Sequence, residues 1–132
     1  MKVIKENGKR KTAIARAIVR EGNGEVRVNS QLLDAVSNPF IRVKISEPLR
    51  IAGDLASKVR IDIDVHGGGF MGQAEASSSA IAKGLDKFFE NEELKQRFLD
   101  YDRALLVDDT RRMEPKRYGG PGARAKRQKS YR

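Results

Sequence analysis

The chain has no cysteine and no tryptophan, and His66 is its only histidine. Without thiols there is no disulfide framework and no thiolate metal site. With one imidazole, a His-based metal cluster cannot form, and any nucleophile triad would have to be built around His66. Aromatic residues make up 6% of the sequence. Long apolar runs are also missing: nothing approaches the roughly 18 consecutive apolar residues of a membrane span. The opening MKVIKENGKRK lacks the apolar core of a signal peptide, so the expectation is a protein neither inserted in a membrane nor secreted by that route. A length of 132 residues implies one domain by default.

Acidic residues are scarce in one place. The last 22 residues, Arg111 to Arg132, hold nine of the 27 Lys and Arg but only Glu114 as an acid, so +8 of the +9 net charge lies there. The rest of the chain is almost neutral. This segment also contains Pro115, Gly119, Gly120, Pro121 and Gly122. It has too little apolar surface to offset the entropy of ordering it, so it is expected to be extended or mobile when alone. The expected division is therefore a globular body, residues 1–109, and a basic tail, residues 110–132. A dense positive arm on a neutral body suits a polyanion, with RNA or DNA first. A solubilising tail, a localisation signal or docking on anionic lipid are the alternatives; no strongly amphipathic, aromatic-bearing helix supports the last.

Within the body, Val59 to His66 alternates apolar and polar without a break and reads as a strand with one buried face. Thr12 to Arg20 and Glu25 to Asn29 read as strands, and Glu21-Gly22-Asn23-Gly24 between them predicts an antiparallel hairpin. Val3 to Glu6 adds a short strand before Asn7-Gly8. Met71 to Phe89 predicts a helix with a narrow Ala76, Ala80, Ala82 face and bulk from Ile81, Leu85, Phe88 and Phe89. Ser77-Ser78-Ser79 in its middle are poor helix formers, so this helix depends on packing. A second helix spans about Glu92 to Tyr101. The stretch from Gln31 to Ala56 reads as mostly helical, although Ile41, Val43 and Ile45 alternate like a strand; Pro48 could start a turn that stops at Gly53. Strands with packed helices make an α+β fold.

One motif looks enzymatic. Gly67-Gly68-Gly69-Phe70-Met71-Gly72 satisfies G-x-G-x-x-G, follows a strand and opens a helix. A dinucleotide site also needs a further parallel strand ending in an acid, whereas Glu90, Glu92 and Glu93 fall in a polar helix-to-helix junction. G-K-[ST] is missing too. What survives is a glycine turn beside free helix N–H groups, suited to phosphate of any kind; a purely structural turn is the alternative. Asp62 and Asp64 could hold Mg²⁺ with Glu25 or Glu75, but such a pair is usually a solvated face balanced here by Arg60. Lys9-Arg10-Lys11 sits at the expected hairpin entry, with Arg16, Arg20 and Arg27 along its strands, spaced for phosphate contacts that position without reading sequence. Ordinary surface charge, with Glu6, Glu21 and Glu25 nearby, is the other reading. No metal, cofactor or catalytic residue is expected.

These residues carry a resemblance. Gly8-Lys9-Arg10-Lys11-Thr12-Ala13-Ile14-Ala15-Arg16 resembles the G-x-R-K-[TS]-A-x-A-R opening of the ninth protein family of the small ribosomal subunit. Gly22-Asn23-Gly24 with Val26, Val28 and Asn29, then Gly67 to Ala74, then Ala80 to Leu85, resemble its G-x-G-x-x-x-V-N, G-G-G-x-x-G-Q-A and I-A-[RK]-[AG]-L. Asp109 to Gly119 is similar to its D-x-R-x-x-E-x-K-[KR]-Y-G, and the ending through Gln128-Lys129-Ser130-Tyr131-Arg132 resembles the archaeal and eukaryotic branch. The resemblance implies a non-enzymatic structural constituent of the small subunit, cytoplasmic, with a ribosomal S5 domain 2-like body. It implies small-subunit rRNA, neighbouring head proteins and the anticodon stem-loop of peptidyl-site tRNA as partners. The rRNA-binding residues expected on this basis are Lys9, Arg10, Lys11, Arg16, Gly67, Gly68, Gly69, Arg111, Arg112, Lys116, Arg117, Tyr118, Arg124, Lys126, Arg127 and Lys129. Ser130, Tyr131 and Arg132 are expected to meet tRNA. Twenty-two extended residues reach roughly 70 Å, which permits it. A small phosphate-handling enzyme and a free-standing RNA chaperone are the rivals.

Overall fold

The computed structural model describes residues 2–107 and residue 118. The element order is β1 (Val3–Arg10), β2 (Ala13–Glu21), β3 (Val26–Val28), β4 (Gln31–Leu32), α1 (Pro39–Ala52), β5 (Val59–His66), α2 (Phe70–Phe89) and α3 (Glu92–Tyr101), with short 3₁₀ turns at 33–35, 53–58 and 103–105. The strands form one sheet in the order β1-β2-β5-β3-β4. The α+β reading holds: one mixed sheet carries three helices.

The expected hairpin between β2 and β3 does not form. β2 pairs with β1 on one side and β5 on the other, both antiparallel, while β3 pairs with β5 in parallel. The chain does reverse direction at Gly22–Gly24, but it bridges across the start of β5 instead of folding back on β2. Gly22 N–H donates to Lys58 O (3.1 Å), Gly24 N–H to Val59 O (2.9 Å), and Ile61 N–H to Glu25 O (2.9 Å). A glycine-rich turn encodes reversal, not the neighbour; β5, with its unbroken two-faced pattern, takes the central place. The true hairpin is β1–β2, closed by Lys11 and Thr12, with Lys11 in the left-handed region at φ 54°. β1 also does not stop at Asn7-Gly8 but runs through it to Arg10.

α2 lies across β1, β2 and β5, and α1 packs on α2, so the helices cover one face of the sheet. Beneath α2 the sheet presents Ala13, Ala15, Ala17 and Val19, all fully buried, which lets the helix axis come close. Ser77, Ser78 and Ser79 are buried as well, in keeping with a helix held by packing, and Ser79 Oγ donates to Leu105 O at 3.3 Å. α1 begins where Asn38 Oδ1 accepts from Phe40 N–H (3.0 Å), with Pro39 in its first turn, and ends at Gly53 with φ 59°. Ile45, Pro48 and Ala52 are its buried positions while Val43 is exposed, a helical spacing that overrides the strand-like alternation at 41–45. Pro48 thus lies inside the helix and does not start it.

Asn29 extends the β3–β5 ladder with its side chain. Its Nδ2 donates to Val65 O (3.1 Å) and its Oδ1 accepts from Val65 N–H (2.9 Å), while its own N–H reaches Ile63 O (2.8 Å). Its φ of 49° suits Asn better than most side chains. Asn29→Ala strands both backbone groups of Val65, and the expected loss is about 2–3 kcal/mol in urea denaturation. A loss below about 0.5 kcal/mol would show that the side chain plays no part in the ladder.

Candidate nucleic-acid interface

The β5–α2 turn is shaped by two left-handed glycines, Gly67 (φ 79°) and Gly68 (φ 65°). A Cβ on Gly67 would lie 2.4 Å from Thr12 O, so this turn is pressed against the β1–β2 turn. Gln73 Nε2 donates to Gly67 O at 3.2 Å and holds the loop from within α2. Gly69 caps α2 without any side-chain hydrogen bond to the first-turn N–H groups. Arg10, Lys11, Thr12, Gly68, Gly69 and Gly72 line a cleft of about 260 Å³ there, together with Met71 and the acid Glu75. Two segments about 55 residues apart in sequence, both singled out from it, thus meet at one end of the sheet.

Lys9-Arg10-Lys11 is not one patch, because strand alternation splits it. Lys9 is exposed and belongs to the outer set of β1 with Lys5 and Asn7. Arg10 points to the helix side, where its Nε donates to Glu75 Oε2 at 2.7 Å. Lys11 stands at the tip between them.

Arg16, Arg20 and Arg27 do not line one edge of a two-stranded ribbon; they share one face of the sheet across three strands. Arg16 and Arg20 project from β2 away from the helices, and Arg27 projects from β3 beyond β5. Arg20 Nη2 donates to Asp62 Oδ2 at 3.2 Å, and Arg60 Nε lies 3.6 Å from the same oxygen. Asp62 is therefore the internal counter-ion of two arginines, as a balanced polar face requires. Arg27 Nε donates to Glu25 Oε1. That hydrogen bond, with the charges of Arg27 and Arg60, holds the Glu25 carboxyl below the usual carboxylate range, against the upward push of burial. Arg16 sits opposite Asp64 in register and makes no ion pair among the described residues. Lys5 and Arg60 belong to this face too and were not singled out as RNA ligands; their alternation with inward neighbours, the half-buried Ile4 and the buried Val59 or Ile61, was the available signal.

After α2 the chain passes into α3 and a 3₁₀ turn, so among the described residues no strand follows the glycine motif. The parallel neighbour of β5 is β3, which precedes it. A dinucleotide unit therefore has no second strand here. No helix among the described residues is long and apolar enough to cross a membrane. Tyr118 is fully exposed. Arg111, Arg112, Lys116, Arg117, Arg124, Lys126, Arg127, Lys129, Ser130, Tyr131 and Arg132 lie outside the described residues.

Comparison with known proteins reaches almost the whole chain. A family model described as ribosomal protein S9/S16 matches residues 8–132. The small ribosomal subunit protein uS9 of Halobacterium salinarum is 53% identical over 131 residues, covering 98% of this chain and 99% of that one. The protein of the same name from Picrophilus torridus is 49% identical over 125 residues, covering 95% and 94%. The Methanothrix thermoacetophila protein is 47% identical over 132 residues, covering all of both chains.

Proposed function

The chain belongs to the ribosomal protein S9/S16 family, a structural and non-enzymatic class, and from that premise we propose that it anchors to rRNA in the head of the small ribosomal subunit. It does so in the cytoplasm, among the neighbouring head proteins. The body is of the ribosomal S5 domain 2-like type. The observation that carries the reading is the meeting of Lys11 with the Gly67–Gly69 turn and the uncapped start of α2. There Lys11, the glycines and a helix start without a side-chain cap line one cleft, with Glu75 held on Arg10, an arrangement that suits RNA phosphate. Arg10, aligned by Glu75, extends the contact within this cleft, while Lys9 and Arg16 meet rRNA from the opposite, helix-free face of the sheet.

Residues 1–109 form the anchoring body and residues 110–132 a basic tail through rRNA. Arg111, Arg112, Lys116, Arg117, Arg124, Lys126, Arg127 and Lys129 neutralise phosphate along its path, and Tyr118, whose ring is wholly exposed, is free to meet RNA. Ser130, Tyr131 and Arg132 reach the anticodon stem-loop of peptidyl-site tRNA. Arg132 holds phosphate in a bidentate manner, and Tyr131 stacks on a nucleotide for about 1–3 kcal/mol.

Fractionation tests the anchoring: the protein should co-sediment with the small subunit in high salt, and release into the soluble fraction would refute it. The tip has its own test. Deleting Ser130 to Arg132 is expected to spare subunit assembly and to lower peptidyl-site tRNA binding by about a hundredfold or more, the share of one stacked ring plus one bidentate arginine. Unaltered filter binding of tRNA to such subunits removes the tRNA role.

A further inference from the structure

We propose that the helix-free face of the sheet is a second RNA-contact surface, built for the backbone of duplex RNA and not for unstacked bases. The proposal rests on the ribosomal reading above and gives its rRNA contact a shape. A largely antiparallel sheet with one solvated face is ordinary; the balance of charge on this one is not. Lys5, Lys9, Arg16, Arg20, Arg27 and Arg60 point outward from β1, β2, β3 and β5, against Asp62, Asp64 and, at the margin, Glu25. Outside the tail the chain is otherwise close to neutral, so its spare positive charge is gathered on this face.

The arrangement matches a broad target. Arg16 and Arg20 stand about 13 Å apart along β2, and Arg27, level with Ile18 across β5, lies about 12 Å from each. Between them lies a shallow depression of about 480 Å³ with Arg16, Arg27, Ser30 and Arg60 on its walls, and Asp62 and Asp64 between the arginines. Asp62 ties Arg20 and Arg60, and Glu25 ties Arg27, so these guanidiniums are held in place before any ligand arrives. Arg16 is left to bind outward.

What the face lacks decides the class of RNA. None of its outward positions on β1, β2, β3 or β5 is Phe, Tyr or Trp. Sheets that take single-stranded RNA stack its bases on such rings. A-form duplex RNA instead offers a wide, shallow minor groove edged by phosphates and 2′-hydroxyls, recognised by shape. Spaced, pre-set arginines and the exposed Ser30 hydroxyl fit that groove.

The test uses the full chain with two probes, a blunt RNA duplex of roughly 16 base pairs and an oligouridine of the same length, titrated over a range of salt. The variant R16Q/R20Q/R27Q is expected to bind the duplex with a salt slope lower by about three, and the oligouridine nearly unchanged. Because Arg20 and Arg27 are also ion-paired, R16Q alone is the second variant, with an expected slope loss of about one on the duplex. Folding of each is checked by circular dichroism. Unchanged duplex slopes in folded R16Q would overturn the proposal while leaving rRNA anchoring intact. An equal loss on both probes would overturn the duplex assignment. Failure of the unmodified chain to bind either RNA would overturn the rRNA reading itself.

Discussion

Gly8→Ala is expected to destabilise the body by more than about 3 kcal/mol and lower its Tm by roughly 15 °C. Gly8 lies mid-strand in β1 on the helix side, where α2 crosses at its closest. A Cβ there would sit 2.0 Å from Ala76 O and 2.8 Å from Ala80 N. Those two atoms are the acceptor and donor of one helical hydrogen bond, four residues apart. The methyl therefore meets backbone and not a side chain that can swing away, so the helix must move or the ladder must break. Moving α2 outward would also open its contact at Gly84, whose own missing Cβ makes room for Val19 Cγ2 at 2.6 Å, and would loosen buried Ala80 and Ile81. The control is Gly69→Ala, where nothing lies within 4 Å of the added carbon; it is expected to cost about 1 kcal/mol or less, the preference of an N-cap for Gly over Ala. Thermal denaturation of the two variants decides it: a Gly8→Ala protein as stable as Gly69→Ala would show that the helix is not held against the strand at this point.

Gly8 also marks where sequence reading stops. Asn7-Gly8 carries the dipeptide signal of a turn, so the strand was expected to end at Glu6. Nothing local reveals that a helix some 70 residues later needs the glycine for close approach. Periodicity did locate β5, α2 and α3 nearly to the residue, because alternation and helical spacing are properties of the segment itself. Adjacency is not such a property. The insertion of β5 between β2 and β3 depends on pairing between distant segments, and a glycine-rich bridge reads like a hairpin until the third strand is known.

The basic residues follow the same division. Arg16 and Arg20 could be put on one side of β2 from their spacing alone. That Arg27 and Arg60 join them, with Asp62 between, follows only from the strand order. Likewise, the glycine motif was legible as a phosphate-suited turn, while its partner, the Lys11 tip, became known only when the two turns were seen to touch. Lys9 and Arg10 went the other way: neighbours in sequence, they face opposite sides of the sheet.

Truncation after Val107 is expected to leave a folded body whose affinity for small-subunit rRNA falls by three or more orders of magnitude at low salt. The body should survive because the last anchor among the described residues is retained. Leu105 is buried and its carbonyl accepts from Ser79 Oγ, so a cut two residues later removes no described packing. The loss of affinity follows from charge. The residues removed carry nine Lys and Arg, while the remainder is close to neutral. On the body, Asp62, Glu25 and Glu75 engage Arg20, Arg60, Arg27 and Arg10, and the cations overall are offset by a nearly equal number of acids, so the body attracts a polyanion less strongly than the tail does. If the eight cations from Arg111 to Lys129 each neutralise one phosphate, the slope of log affinity against log salt should shrink by about 6 to 7, at roughly 0.7 to 0.9 per contact. The sheet face proposed above supplies about three contacts and should leave a correspondingly shallow residual slope in the truncated chain. Filter binding to rRNA fragments across a salt series, with circular dichroism as the check on folding, separates the two contributions. A folded truncate with the full chain's affinity and slope would mean that the body, and not the tail, does the binding.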